Sequence, residues 1–384
     1  MKVCYVADVG TKVSGGHQSL LNLMEDLGKM GVEPFLVCHK EWELTNIARE
    51  KKIPVKVIPA KIYTAVRLKV SLKDYIKYPL KRMFNQLNFK AKKDYLKDNG
   101  IELVHLNSLL ASEQWAKAAF ECNIPYVWHI REFMDRDHGR VIINEEYSYK
   151  WVRNANEVIT ISKSVQNYWE KKLGRPCAMI YNGLPWDKYQ GNVKDKFESE
   201  IIRSLIVGRV VEGKGQIDAV KAVELLNEQG ITNIHLTLVG YRGLTEYEKE
   251  IKKYIEEQDL SKLIEMVDFT YELQAIRQQS DIGITTSKAE AFGRVTIENM
   301  LGGLLAIGTK SGGTAELIED GLTGFLYKPG NYVMLADILK SVIQNVEEMK
   351  KIAQDGQQNA RQNYLIERTV EAVYKVYESQ LHGR

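Results

Sequence analysis

Short apolar runs alternate with longer amphipathic stretches along the whole chain of 384 residues. Apolar runs bounded by turn formers predict strands of a parallel sheet, and the amphipathic stretches between them predict covering helices. Each half of the chain carries enough runs for one doubly wound sheet of about six strands. The predicted strands are 2–7, 33–37, 55–58, 103–106, 126–129, 157–161 and 177–181, then 204–207, 235–239, 264–266, 282–285, 304–307 and 324–326.

The two series are separated by turn formers and a polar stretch, which predict a linker at 184–200. We therefore expect an α/β chain with Rossmann-like domains at 1–183 and 201–364. Residues 365–384 place Val370, Val373, Val376 and Tyr377 at helical spacing, so a final helix needs a partner for its apolar face.

Composition and charge exclude several protein classes. Lys and Arg number 53 against 50 Asp and Glu, so the net charge of +3 demands no strongly charged partner. No run of 18 apolar residues exists, which argues against a spanning helix. An acid at Asp8 is too early for a secretory signal, so a cytoplasmic location is expected. Four widely spaced cysteines suggest neither a zinc site nor a disulfide framework.

A glycine pair, Gly15-Gly16, stands between the first strand and a helix predicted at 18–29. Such a pair lets the backbone approach a ligand at the positive end of a helix. The alternative is a tight strand-to-helix turn. The pattern is not GxGxxG, and no acid cleanly ends the second strand, so a dinucleotide is disfavoured and no cofactor is expected.

A second loop, Gly208-Arg209 to Lys214-Gly215, follows the first strand of the second series. It places Arg209 and Lys214 at the carboxyl edge of the sheet, where open α/β folds bind ligands. Two cations about 4 Å from a diphosphate would each contribute about 4 kcal/mol at an effective dielectric near 20. The alternative is solvated surface charge.

The segment 286–298 leaves a strand, passes through Phe292-Gly293 and enters an apolar helix. Backbone N–H groups at its start suit phosphate. Glu290 and Glu298 flank that position and suit sugar hydroxyls. The alternatives are helix-dipole compensation for Glu298 and simple solvent exposure for Glu290.

In combination, these motifs resemble the retaining, nucleotide-sugar-dependent glycosyltransferases of family four, of the capsular or exopolysaccharide type. The likeness rests on both glycine loops, the E-x7-E motif and the stretch 311–325. It implies the GT-B fold, with two Rossmann-like domains facing each other across a cleft. The first domain would hold the acceptor and the second the donor, and the final helix would cross back onto the first.

The resemblance also implies roles for individual residues. Arg209 and Lys214 would hold the diphosphate and stabilise it as leaving group, and Glu290 would bind the donor sugar. Glu298 would take the ribose hydroxyls, and His129 would face the sugar as an active-site histidine. An ordinary core or edge histidine is the alternative for His129. No enzyme nucleophile is expected. Contacts to the donor are further implied for Gly15, Gly16, Gly208, Ala291, Phe292, Gly293, Val295 and Thr296.

Two features concern metal and partners. Asp135-Arg136-Asp137 matches a DxD metal signature, but patterns this short arise by chance and no metal is expected. Residues 61–98 carry 11 Lys and Arg against three Asp, a net charge of +8, interleaved with apolar and aromatic residues. This suits an anionic membrane surface or a phosphorylated, lipid-linked acceptor. The alternative is a pair of ordinary surface helices. No nucleic-acid motif is present, and no such partner is expected.

The predicted function is retaining transfer of a sugar from a nucleotide diphosphate donor, with UDP favoured, to a glycan or lipid-linked glycan. The setting would be cell-surface polysaccharide biosynthesis, in the cytoplasm or peripheral on the inner membrane face. Two alternatives stay open: a nucleotide-sugar epimerase on the same architecture, and a non-catalytic nucleotide-sugar-binding regulatory subunit.

Overall fold

The computed structural model of the chain describes residues 1–10, 12–61, 64–65, 70–109 and 113–382. The chain forms two compact units. Unit 1 contains Met1–Gly183 and the segment that begins at Ile366, and unit 2 contains Leu184–Leu365. Each unit is built around one parallel sheet, so the predicted α/β chain with two parallel-sheet domains is confirmed.

Unit 1 has a seven-stranded sheet in the order β3-β2-β1-β5-β6-β8-β9, and every neighbouring pair is parallel. A separate antiparallel pair, β4 with β7, was not predicted because two residues are too short to show a pattern. The strands are β1 (Lys2–Val6), β2 (Glu33–Cys38), β3 (Val55–Val57), β4 (Thr64–Ala65), β5 (Leu103–Leu106), β6 (Tyr126–Ile130), β7 (Val141–Ile142), β8 (Glu157–Thr160) and β9 (Ala178–Met179).

Helices cover this sheet because their apolar residues recur on one side. In the first helix, Leu20, Leu23, Met24 and Leu27 repeat at helical spacing and are all buried. The helices in the first segment of unit 1, Met1–Gly183, are α1 (Gly15–Lys29), α2 (Glu43–Glu50), α3 (Leu72–Leu87), α4 (Phe89–Asp98), α5 (Glu113–Glu121), α6 (Asp135–His138), α7 (Glu145–Arg153) and α8 (Lys163–Leu173).

Unit 2 has a six-stranded parallel sheet in the order β12-β11-β10-β13-β14-β15. Its strands are β10 (Ile202–Val207), β11 (Ile234–Tyr241), β12 (Ile264–Asp268), β13 (Ile282–Thr285), β14 (Leu305–Thr309) and β15 (Phe325–Tyr327). Its helices are α9 (Trp186–Tyr189), α10 (Ile217–Glu228), α11 (Glu246–Glu257), α12 (Leu273–Gln278), α13 (Arg294–Leu301), α14 (Thr314–Leu317), α15 (Tyr332–Gln344) and α16 (Val346–Asn363). Since all strands are parallel, their carboxyl ends meet at one edge.

The segment 184–200, where the sequence predicts a linker, belongs to unit 2 and packs on it. It contains α9, and Phe197 is buried in the core of that unit. Lys196 is buried as well, and its ammonium donates to the carbonyls of Arg277 and Gln278 at 3.1 and 2.8 Å. Polar residues of this stretch are thus satisfied by the domain itself, which composition alone does not show.

The final helix, α17 (Ile366–His382), packs in unit 1, apart in sequence from the rest of that unit. Val370, Val373 and Tyr377 belong to the unit 1 core. The hydroxyl of Tyr377 lies 2.6 Å from Nδ1 of His105 on β5. None of the helices in the described ranges combines the length and apolarity needed to cross a membrane.

We expect Tyr377→Phe to lower the free energy of unfolding of unit 1 by about 1–3 kcal/mol, because it leaves a buried imidazole nitrogen without its hydroxyl partner. Urea unfolding, followed on the transition of unit 1, measures the change. Tyr374→Phe on the half-exposed side of the same helix is the control. Equal stability of the two variants would contradict the assignment of this bond to the core.

Candidate functional site

The loop after β10 is fixed against the end of β13 in unit 2. Gly215 has φ +65°, and a Cβ there would lie 2.4 Å from the carbonyl oxygen of Thr286. The Thr286 hydroxyl donates to the carbonyl of Lys214 at 2.6 Å, and the N–H of Lys288 donates to the carbonyl of Gly213 at 3.0 Å. Only glycine allows this approach, so the loop holds Lys214 in a set position.

Lys214 and Glu290 form an ion pair, with Nζ 2.6 Å from Oε2. Burial alone would raise the pKa of Glu290, but the Lys214 ammonium and a hydrogen bond from Ser287 hold it below its ordinary value. The carboxylate therefore stays charged at neutral pH. Arg209 stands in the same loop with an exposed side chain. The structure thus brings two of the predicted residues into contact.

A turn between β14 and α14 supports the backbone beside Glu290. The N–H of Gly313 donates to the carbonyl of Glu290 at 2.7 Å. A Cβ on Gly313 would lie 2.3 Å from the carbonyl oxygen of Phe292, a buried residue. The backbone of 290–293, which includes half-buried Ala291, therefore packs against this turn at both Glu290 and Phe292.

Helix α13 begins directly after Gly293, whose φ is +105°. The N–H of Ile297 donates to the carbonyl of Gly293, so the amides of Val295 and Thr296 lie in the first turn, ahead of this helical bond. The Thr296 hydroxyl is 3.0 Å from that of Thr285 on β13. One pocket joins this helix start to the ion pair, and its lining includes Val207, Lys214, Thr286, Ser287, Glu290 and Val295.

Glu298 has a different environment from Glu290. Its Oε2 accepts from Nη2 of Arg277 at 2.9 Å, and its Oε1 lies 3.5 Å from Nη2 of Arg294. Arg277 is 1% exposed and lies 5.6 Å from the ring centre of Tyr189. Neither Arg277 nor Tyr189 carried a sequence signal, because a single arginine in a short helix has no pattern. Glu298 is thus oriented by a buried ion pair.

In unit 1, the glycine pair lies inside α1 rather than before it, which corrects the predicted start of that helix. Ser14 precedes the helix, and both its N–H and its hydroxyl contact Nδ1 of His17, at 3.1 and 2.7 Å. Nε2 of His17 is 3.1 Å from Oδ1 of Asp8, two residues after β1. Since Nδ1 accepts the Ser14 N–H, the imidazole proton is on Nε2 and faces Asp8. These polar contacts fix the backbone at the point where helix α1 begins, at Gly15.

His129 is completely buried at the end of β6. Its Nδ1 lies 3.3 Å from Nη2 of Arg131, and its ring lies 5.2 Å from that of His105. Burial, followed by the charge of Arg131, holds the pKa of His129 well below its ordinary value, so the ring is neutral. The placement agrees with the core-histidine alternative, and a contact with sugar stays a prediction.

Glu132 is a polar residue at this edge that the sequence analysis missed. Its Oε1 accepts from the hydroxyl of Ser108 at 3.0 Å and the N–H of Leu109 at 2.9 Å, and its Oε2 accepts from the N–H of Arg131. Burial raises its pKa to about 7. The signal was present, since Arg131 and Glu132 come just after the predicted strand 126–129, which contains His129.

The DxD pattern has a structural use. Oδ2 and Oδ1 of Asp137 accept from the N–H groups of Phe133 and Met134 at 2.8 and 2.9 Å. Met134 has φ +79°, a conformation that side chains rarely adopt, so these bonds stabilise a strained turn. Within the described ranges, no group of three or more His, Cys, Asp or Glu is arranged to hold a metal ion.

Two family models match the chain one after the other. The model described as Glycosyltransferase Family 4 matches residues 13–187, and the model described as Glycosyl transferases group 1 matches residues 192–359. Together they match most of unit 1 and unit 2. The chain is a family-four glycosyltransferase. The predicted membership of family four is therefore confirmed.

Relatives of this glycosyltransferase include the uncharacterized glycosyltransferase MJ1178 of Methanocaldococcus jannaschii. It is 26% identical over 299 residues, which cover 76% of this chain and 79% of the relative. The amylovoran biosynthesis glycosyltransferase AmsK of Erwinia amylovora is 28% identical over 223 residues, 54% of this chain and 53% of AmsK.

Among solved structures, HepE of Anabaena in complex with UDP has a TM-score of 0.81 at 21% identity, over 99% of this chain and 100% of that one. Its complex with UDP-glucose has a TM-score of 0.79. These likenesses extend over both units and show the fold, which is that of the GT-B glycosyltransferases.

We expect the stability contribution of Glu132 to fall as pH rises from about 5 to 7. In that window the folded chain keeps a proton that the unfolded chain releases, because the folded pKa is raised to about 7 from 4.5. The loss approaches about 3 kcal/mol. Urea unfolding of wild type and Glu132→Gln at pH 5 and pH 8 tests it, with exposed Glu146→Gln as control. The same pH slope in wild type and Glu132→Gln would contradict the expectation.

Proposed function

We propose that this glycosyltransferase moves a sugar, with retention of configuration, from a UDP-sugar to a glycan or lipid-linked glycan during surface polysaccharide biosynthesis. The observation that carries the proposal is the Lys214–Glu290 pair in the pocket at the start of α13. A cation for phosphate and a carboxylate for sugar hydroxyls lie side by side there, where open α/β sheets bind their ligands.

Each part of the donor has a matching group in unit 2. Lys214, exposed Arg209 and the first-turn amides of α13 suit the diphosphate. Glu290 suits the sugar hydroxyls and Glu298 those of the ribose. In the proposed step, the bond between the sugar C1 and the diphosphate oxygen breaks, and its electron pair leaves with UDP. The acceptor oxygen bonds to C1 on the same face, and its proton passes to the departing phosphate. No metal and no enzyme nucleophile takes part.

Two relatives support the finer parts of the proposal. HepE has been solved in complex with UDP and with UDP-glucose, which supports a UDP-sugar as donor. AmsK is named for amylovoran biosynthesis, which supports a polysaccharide setting. The electrostatic logic is general, because preorganised positive groups stabilise charge that develops on a leaving group.

The first experiment is saturation-transfer NMR of the full chain with UDP-, GDP- and ADP-sugars in the presence of a chelator. Selective binding of a UDP-sugar is expected, and binding only after a divalent metal is added would contradict a metal-independent donor site. Turnover then separates the alternatives. Epimerisation of the donor without an acceptor would indicate an epimerase, and binding without hydrolysis or transfer would indicate a regulatory subunit.

We expect Lys214→Ala and Arg209→Ala each to lower kcat/KM at least tenfold, and toward about a hundredfold, because each removes positive charge from the leaving diphosphate. Lys288→Ala is the matched control, since this half-exposed lysine is two residues from Glu290 and pairs with Glu212 instead. Donor hydrolysis or transfer by the folded variants gives the readout. Near-normal activity of both site variants would overturn the assignment of the diphosphate site.

A further inference from the structure

Helix α3 is amphipathic, but its apolar row faces outward instead of toward the core of unit 1. Five apolar residues form an exposed row, the apolar stripe, with 58–76% of each residue accessible. At about 100° per residue they fall within about 80° of the helix circumference. A surface helix ordinarily turns such a row toward the core. The stripe consists of Leu72, Ile76, Leu80, Met83 and Leu87.

The opposite side of α3 packs against unit 1 through a small apolar cluster around Tyr78 and Ile143 and through polar contacts of Asn85. Its buried residues are Tyr78 and Asn85. Oδ1 of Asn85 accepts from the N–H of Lys61 at 2.7 Å, and Nδ2 donates to the Lys61 carbonyl at 2.9 Å. These bonds fix the orientation of the helix, so the apolar stripe is directed outward by specific polar contacts.

Positive charge accompanies the stripe. Helix α3 carries Lys73, Lys77, Lys81 and Arg82 against Asp74, a net charge of +3. At about 100° per residue, Lys73 and Lys77 follow the stripe along one side. The carboxylate of Asp74 accepts hydrogen bonds from the N–H and the hydroxyl of Ser71 at the helix start. Other nearby acids, Glu145 and Glu146, line a groove with Tyr75 beside this end.

For the described residues of the basic segment 61–98, the structure shows which charges lie at the surface. Residues 62–63 and 66–69 lie outside the described part of the chain. Lys92 is buried, with its ammonium on the carbonyl of Asn88, and burial lowers its pKa to about 8. Within the described residues of the segment, the exposed positive charge lies on Lys61, on α3 and on the exposed residues of α4.

We propose that α3 docks on an anionic lipid bilayer, with the apolar stripe in the acyl boundary and its lysines at the headgroups. A helix of 16 residues is about 24 Å long, which suits one lying in the membrane plane. Charge selects this occupant over a second copy of the chain, because a two-fold contact would place the same basic helix against itself. The proposal does not depend on the donor or the acceptor.

The test is sedimentation of the full chain with vesicles of phosphatidylcholine alone, or in equal parts with phosphatidylglycerol. We expect binding to the anionic vesicles at low salt, release at high salt and little binding to the neutral ones. The triple variant Ile76→Gln, Leu80→Gln and Leu87→Gln should bind at least tenfold more weakly. Its control replaces three other exposed apolar residues, Ile201, Leu244 and Leu322 of unit 2, by Gln.

A second pair of variants tests the charge. Lys73→Gln with Lys77→Gln should weaken binding to anionic vesicles on the order of thirtyfold. Lys252→Gln with Lys253→Gln on α11 is the control and should leave binding unchanged. Circular dichroism checks that each variant is folded.

Two results would overturn the proposal. One is wild type that stays in the supernatant with anionic vesicles at low salt, and the other is a stripe variant that binds as wild type does. Sedimentation velocity without lipid tests the alternative occupant of this surface, a second copy of the chain. A dimer that the stripe variant converts to monomer, with no vesicle binding, would assign α3 to a contact between copies instead.

Discussion

The contact between Lys214 and Glu290 depends on a backbone packing that glycine alone permits. The two residues are 76 positions apart in the chain, yet their charged atoms lie 2.6 Å from each other. Gly215 lets one loop lie under the Thr286 carbonyl, and Gly313 lets a turn support the backbone of Glu290 and Phe292. A side chain at either glycine would displace backbone, not a flexible side-chain end. The ion pair is therefore a consequence of loop packing, and its energy in partly exposed surroundings is secondary.

The sheets were predictable because a buried parallel strand leaves a continuous apolar run, and such runs marked every strand of both large sheets. Features without a run were not predictable. The pair β4–β7 has two residues in each strand, and the stretch 184–200 is polar although it packs on unit 2. Helix α3 shows this most clearly. Its apolar residues recur at helical spacing, which predicts a helix, but only the structure shows that this apolar row is exposed.

For the site, short motifs located the residues but not their surroundings. The E-x7-E spacing identified Glu290 and Glu298 without showing that one pairs with a half-exposed lysine and the other with a buried arginine. Breaking a buried pair is costly because it strands a charge away from water, so Arg277 holds Glu298 in one orientation. The burial of His129 was equally invisible, because strand-end histidines look alike whether the ring faces the core or the solvent.

The two sheet edges differ in the charge that they present. In unit 2, Lys214, Arg209 and the helix start offer positive charge to an anionic group. In unit 1, burial favours the uncharged forms of two residues: it raises the pKa of Glu132 to about 7 and lowers that of His129, while the Arg131 guanidinium beside His129 keeps its charge. Uncharged donors and acceptors suit hydroxyl groups, whereas a diphosphate needs cations. In the proposed function, the diphosphate is therefore assigned to the cationic edge of unit 2.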